Sequence, residues 1–306
     1  MLNRRGFLIA ASGAAAVALS PAGTAAAAPR LFEKASMRGS IDATDLGARP
    51  GALDDQSKVF AKMLQKASDT ETPVFLPAGT YVVSNLTLPR RVRLSGVPGA
   101  TRIVYGGDGH LFMAEATERV ELSGLTIDGA NRWLDEYVQG LVDLRGVPDF
   151  TMDGCQVIGS GKNGLALERV GGRIENSTIS GAADVGIYSV ESTGLRISAN
   201  DVSDCSNGGI LVHRWQAADD GTIVTGNRVR RIAARSGGTG QYGNGINVFR
   251  ANGVIVSGNT VSDCAFSAVR ANSGGNIQIS GNTCARLGET AIYSEFAYEG
   301  AVIANN

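Results

Sequence analysis

Val256-Ser-Gly-Asn-Thr-Val-Ser-Asp-Cys264 restates, with three substitutions, the segment Ile197-Ser-Ala-Asn-Asp-Val-Ser-Asp-Cys205. Shorter echoes stand at Leu122-Ser-Gly124, Met152-Asp-Gly-Cys155, Ile174-Glu-Asn-Ser177, Val224-Thr-Gly-Asn227, Ile279-Ser-Gly-Asn282 and Ile303-Ala-Asn-Asn306. Consecutive leading aliphatics are 22 to 32 residues apart, and most intervals are 22 to 24. That period is too short for a propeller blade or a pair of helices, and the segments alternate apolar and polar as strands do. The regular leucines of a leucine-rich repeat are missing.

A second strand follows in each repeat behind a small residue: Gly164-Leu-Ala-Leu, Gly186-Ile-Tyr-Ser, Gly209-Ile-Leu-Val, Gly245-Ile-Asn-Val, Ala268-Val-Arg-Ala and Ala291-Ile-Tyr-Ser. Period-two alternation turns Leu165/Leu167, Ile187/Ser189, Ile210/Val212, Ile246/Val248, Val269/Ala271 and Ile292/Ser294 inward, a narrow core suited to stacked coils. The small residue is expected to supply a tight corner. Asn200, Asn227, Asn259, Asn282 and Asn306, with Cys155 and Ser177 before them, form a column. They are expected to take the left-handed backbone and to bond amide to amide up the stack.

Composition narrows the function. Glycine, at 41 of 306 residues, is about twice its usual share, while proline stays at 8, so many tight turns are implied without collagen or proline-rich disorder. A net charge of −1 leaves no overall electrostatic footprint for nucleic acid. No apolar run beyond the N-terminus is long enough to span a bilayer. Residues 1–28 read as an export leader: Arg4 and Arg5, an apolar stretch from Phe7 to Leu19, then Ser20-Pro21 and Ala25 to Ala28. Asn3-Arg-Arg-Gly-Phe-Leu8 resembles the twin-arginine motif, which implies the twin-arginine export machinery as a partner through Arg4 and Arg5, and a periplasmic or secreted chain from about Pro29. Cys155, Cys205, Cys264 and Cys284 match no metal-site spacing, and Cys205 and Cys264 are equivalent positions two coils apart, beyond disulfide reach. They are expected to be buried free thiols.

These features together resemble the right-handed parallel β-helix, pectate-lyase-like superfamily over about residues 41–306. Asp45-Leu-Gly-Ala48, Gly51-Ala-Leu-Asp-Asp-Gln56, a helix pattern from Val59 to Ala67 and Val74-Phe-Leu-Pro-Ala-Gly-Thr-Tyr81 resemble the way such proteins open, with a helix capping the core. Gln56 departs from the threonine usual after the acidic pair. Leader and coils together are similar to a family of twin-arginine-translocated repetitive proteins without an established activity. The expected fold is all-β: a single-stranded right-handed parallel β-helix solenoid with a short N-terminal capping helix. Residues 1–28 are the signal peptide, 29–120 the cap and first coils, and 121–306 the repeat coils, which break off just after the first strand of a new coil and so read as truncated at the C-terminus.

Outward positions of the second strand form columns: Ala166, Tyr188, Leu211, Asn247, Arg270, Tyr293, then Glu168, Val190, His213, Phe249, Asn272, Glu295. The next residues are Arg169, Glu191, Arg214, Arg250, Ser273 and Phe296. Rings to stack on pyranose faces and guanidinium forks for carboxylates are what a sugar chain needs. Tyr188, Arg214, Trp215, Asn247 and Tyr293 are therefore candidate substrate-binding residues on an exposed face. The insertions at Trp215 to Gly221 and Ala234 to Gly243 are candidate loops beside it.

For catalysis the candidates are His213, Arg250, Arg270, Glu295 and Asp128. A lyase needs a base and a group to stabilise the enolate, and a hydrolase needs two carboxyl groups. Asp219 and Asp220 belong to the same set but read first as a turn beside Gly221. The Asn-Thr-Asp, Gly-His-Gly and Arg-Ile-Lys segments of polygalacturonase-like families are missing, with Gly109-His110-Leu111 the nearest match, as is the Asp-Pro-His-Asp of alginate-epimerase-like β-helices. No metal set and no cofactor motif is read, and a calcium ion would follow only from the resemblance. The expected function is an exported protein that binds an acidic polysaccharide or envelope glycan, with lyase or hydrolase cleavage left open. The alternative is a non-catalytic structural or adhesin-like solenoid of the cell envelope.

Overall fold

The computed structural model describes residues 39–296 and 299–306, so the expected leader lies outside the described residues. Three parallel sheets share the described residues, one of eleven strands and two of nine. The first runs from Ile41–Asp42 to Ala301–Ala304, the second from Gly79–Val83 to Thr283–Leu287, and the third from Leu86–Thr87 to Ile292–Glu295. From Val74–Leu76 onward, successive strands visit the three sheets in turn, and each pairs with its counterparts in the neighbouring coils. This is the right-handed parallel β-helix solenoid, and its first sheet continues without a break past residue 120.

The helix Ser57–Asp69 caps the start by burying Phe60, Met63, Leu64 and Ala67. Gln56 explains its departure from the usual residue. It is almost fully buried, and its side chain both accepts from the Arg49 amide at 2.8 Å and donates to the Arg49 carbonyl at 3.0 Å. A neutral amide serves both backbone groups at once, so no buried partner is left over.

The asparagine column forms the expected ladder. Nδ2 of Asn200, Asn227 and Asn259 donates to Oδ1 of the asparagine one coil on at 3.0 Å in each case, and the same oxygens accept backbone amides. The left-handed residue, however, is the one before the asparagine: Ala199 at φ 56°, Gly226 at 65° and Gly258 at 63°. The bend is thus taken by the preceding residue, and the asparagine amide stacks on its neighbours.

The glycines ahead of the third-sheet strands also act differently from expectation. Their φ values are not positive; what they supply is space. A Cβ on Gly209 would lie 2.6 Å from Val229 Cγ1 and closer still to the Gly245 carbonyl, and Gly186 would meet Val202 Cγ1 at 2.6 Å. Gly209→Val should therefore destabilise the fold by about 3 kcal/mol or more, whereas Gly238→Ala, with nothing within 4 Å, should leave it unchanged. Thermal unfolding of the two variants checks this, and equal midpoints would overturn it.

At the corner leaving the second sheet, Asp204, Arg231, Asp263 and Arg286 all hold left-handed backbones and alternate in charge. Arg231 grips Asp204 through both nitrogens at 2.6 Å, and Arg286 grips Asp263 at 2.6 and 2.7 Å. Arg286 holds the Asp263 carboxyl down to about 2. The cysteines are free thiols: Cys155, Cys205 and Cys264 are buried and Cys284 half-buried. Burial pushes Cys205 and Cys264 up to about 12, which keeps them protonated.

Candidate functional site

The third sheet brings the outward columns together in register. Asp143, Ala166, Tyr188, Leu211, Asn247, Arg270 and Tyr293 lie one above another, as do Arg145, Glu168, Val190, His213, Phe249, Asn272 and Glu295. A face expected to be exposed is instead largely covered, because two insertions fold over it. His213 is 8% exposed, Arg270 7% and Asn247 2%. Segment 233–243 crosses the start of the strands: Asn247 Nδ2 donates to the Gly240 carbonyl at 3.0 Å, and Arg270 Nη1 donates to Thr239 Oγ1 at 2.9 Å. The strand Gly208–Asp219 overruns its neighbours and carries Trp215 up as the opposite wall.

Between these walls lies a cleft of about 390 Å³ with Tyr188, His213, Phe249 and Asn272 on its floor and Trp215, Gln241 and Arg250 at its sides. A second cleft of about 370 Å³, lined by Tyr137, Asp143, Arg145 and Glu168, shares Tyr188, Val190 and Trp215 with it. The two form one groove along the stack. From Arg145 to Asn272 it crosses six coils, roughly 24 Å at the inter-strand spacing.

Rings from three successive coils pave the middle. His213 meets Tyr188 edge-on with centroids 5.7 Å apart and Phe249 at 5.5 Å. Its Nε2 is buried without a hydrogen bond, and burial alone pushes the imidazole down to about 4. An unfolded histidine titrates near 6.5, so between those values the unfolded chain binds the extra proton and stability falls as pH falls. About 2 kcal/mol should be lost through His213 between pH 7 and pH 5, at about 1.4 kcal/mol per pKa unit. His110, also pushed down by burial, adds to the fall in the same direction. Urea midpoints at the two pH values should therefore converge in His213→Phe relative to the parent chain; an unchanged difference would show that His213 does not titrate in this way.

Apart from Arg250, the arginines at the groove are paired. Arg145 bonds Asp143 at 2.8 Å, Arg169 bonds Glu168 at 2.6 Å, and Arg270 bonds Glu295. Arg214 lies 3.1 Å from Glu191 and 3.6 Å from Asp220, the latter within ion-pair range but beyond a hydrogen bond. Burial pushes the Asp220 carboxyl up, and its Oδ1 accepts the Thr222 amide at 3.1 Å, closing the expected turn. Trp215, 53% exposed, is fixed through its backbone: Glu191 Oε1 accepts its amide at 2.6 Å and Arg250 donates to its carbonyl.

Not every expected residue reaches the groove. Asp128 is a correction: it lies on the second sheet in the strand Thr126–Asp128, paired with Arg102 and accepting the Ala130 amide at 2.8 Å. Tyr293 lies under the Arg270 guanidinium, 4.9 Å from ring centroid to Cζ, rather than in the cleft. Tyr137, Asp143 and Arg145 line the groove without having been foreseen. Extending the columns one coil back, to Gly140-Leu-Val-Asp-Leu-Arg145, would have found the last two. Among the described residues, no group of three or more His, Cys, Asp or Glu side chains is arranged to hold a metal ion. The groove's carboxylates face guanidinium groups instead, so the donor set does not fit calcium.

No helix among the described residues is long and apolar enough to cross a membrane. No curated protein matches the chain. Among solved structures it is similar to the A-module of a mannuronan C-5 epimerase from Azotobacter vinelandii, with 19% identity and a TM-score of 0.56 over 79% of this chain and 75% of that one. It is also similar to the enzymatically active domain of tailspike protein 2 of bacteriophage CBA120, with 13% identity and a TM-score of 0.57 over 87% of this chain and 42% of that one. An open reading frame product of Geobacillus virus E2 gives 16% identity and 0.56 over 88% and 59%. At these identities the likeness is one of fold. The family model for the right-handed β-helix region matches residues 111–239 and 172–306, well over half of the sequence, and the chain belongs to that family.

Proposed function

We propose that this is an exported β-helix protein whose third-sheet groove binds an acidic polysaccharide and presents it to His213. The observation that carries the reading is the ring floor of Tyr188, His213 and Phe249 beside the backbone-fixed Trp215. Flat apolar faces rimmed by amides and guanidiniums suit pyranose rings and their substituents. A mannuronan epimerase module with the same fold puts an acidic polysaccharide within the range of this architecture, though fold alone assigns no reaction. Export, by the twin-arginine route to the periplasm or beyond, rests on Arg4, Arg5 and the apolar stretch that follows. On that reading, N-terminal sequencing of the envelope form starts near Pro29, and a mature chain retaining Met1 would refute it.

In a lyase step, neutral His213 would take the proton beside a uronate carboxylate, Arg250 would stabilise the enolate charge, and the neighbouring glycosidic C–O bond would break, its oxygen leaving with the proton that His213 returns. One observation favours the non-catalytic alternative: Glu191, Asp220 and Glu295 are each held beside an arginine, so none is a free carboxyl pair for hydrolysis. Incubation with a panel of acidic and neutral polysaccharides decides between them. Unsaturated-uronate absorbance rising together with reducing ends means a lyase, and reducing ends alone mean a hydrolase. Binding without either signal supports the adhesin-like reading, and the absence of binding to any glycan would refute the groove's proposed role.

A further inference from the structure

We infer that the groove takes a polysaccharide whose acid groups are sparse, and that one carboxylate of that chain docks on Arg250 while the flanking sugars are neutral. This rests on the polysaccharide-binding reading above. Arg145, Arg214 and Arg250 line the groove and Arg169 and Arg270 lie just outside it; all but Arg250 are paired, with Asp143, Glu191 and Asp220, Glu168, and Glu295. Arg169 and Glu168 are 56% and 28% exposed, whereas the other three sets are well buried on the acidic side, with Asp143, Asp220 and Glu295 side chains 2%, 0% and 15% exposed. Moving such an arginine onto a ligand would leave its carboxylate buried and uncompensated, which costs several kcal/mol.

A polyuronate laid along six coils would bring its repeated carboxylates past Asp143 and Glu168, where like charges repel and the nearest guanidiniums are already paired. Arg250 differs. Among the described residues no carboxylate lies within ion-pair distance of it, and only Nη1 is engaged, on the Trp215 carbonyl. Its guanidinium lies 4.7 Å from the Phe249 ring and lines the cleft together with Gln241 and Asn272. The unused edge of the fork suits one carboxylate bidentately, and the ring beneath holds the plane. To either side the groove offers Tyr188, Trp215 and neutral ion pairs, which suit uncharged sugars.

The test measures affinity of the purified full chain for each polysaccharide in a panel and for its carboxyl-reduced form. The panel holds neutral glucans, polymannuronate, polygalacturonate, and gellan, which carries one glucuronate per repeat. Sparse-acid chains should bind at least about tenfold tighter than their reduced forms, and at least about tenfold tighter than the polyuronates. Arg250→Gln should erase the preference for the native over the reduced form while leaving affinity for the reduced form intact; Arg250→Lys, which keeps the charge but not the fork, should restore only part of it. Thermal unfolding checks that both variants are folded. Polyuronates binding as tightly as gellan, or an undiminished preference in Arg250→Gln, would overturn the inference and leave polysaccharide binding standing. No binding by any chain, native or reduced, would remove both.

Discussion

Asn227→Ala is expected to remove on the order of 4 kcal/mol of stability from the buried ladder at the corner of the coils. The Asn227 side chain serves three neighbouring groups besides its link to Asn259. Its Oδ1 accepts the Asn200 backbone amide and Asn200 Nδ2, both at 3.0 Å, and its Nδ2 donates to the Ile197 carbonyl at 2.9 Å. Asn200 and Asn227 are 2% and 1% exposed, so water cannot replace what is lost. Each buried polar group left without a partner costs about 1–3 kcal/mol. Asn306 makes the same three bonds to Asn282 and Ile279 but is exposed, and Asn306→Ala should cost less than about 1 kcal/mol. Urea midpoints at unchanged slope measure both; similar losses at the two sites would mean that the ladder does not act through burial.

Trp215→Ala should weaken polysaccharide binding at least about 30-fold, the cost of losing an anchoring ring worth about 2 kcal/mol. The ring is half-exposed, lines both halves of the groove, and is positioned by its own backbone rather than by packing. With its amide on Glu191 and its carbonyl on Arg250, little ordering remains to be done when a sugar arrives. Arg169 lies 5.8 Å from the ring centroid, leaving the rest of the surface for a ligand. The comparison that separates a platform from an ordinary exposed aromatic is Trp133→Ala. Trp133 is 69% exposed with Lys162 over its ring, and it lines neither cleft, so its loss should not affect binding. Equal effects at the two tryptophans would refute the platform.

The coils were legible because stacking writes itself into the sequence at a fixed period. Leading aliphatics, asparagines and the inward pairs such as Ile210/Val212 each occupy one position per turn, and burial selects their chemistry directly. The reasons behind some residues were not legible. A glycine needed for space at Gly209 and one needed for φ at Gly226 are the same letter, and only the structure separates them. The groove was half legible. Register gave its floor, but its walls depend on where two insertions fold, and period-two patterning carries no information about a segment such as 233–243 that crosses neighbouring coils. Asp128 was misplaced for a related reason. Its motif is polar and turn-like, and the irregular coil that follows hid the fact that it belongs to a different sheet.

The alternation of Asp204, Arg231, Asp263 and Arg286 limits how this molecule could have grown. Duplicating or deleting one coil there would set aspartate against aspartate or arginine against arginine at adjacent positions on a shared corner, where like charges destabilise. Two coils form the smallest unit that can be inserted with every pair intact. Lengthening in this stretch is thus expected to proceed by even steps, and a one-coil insertion should unfold more readily than a two-coil insertion made at the same corner.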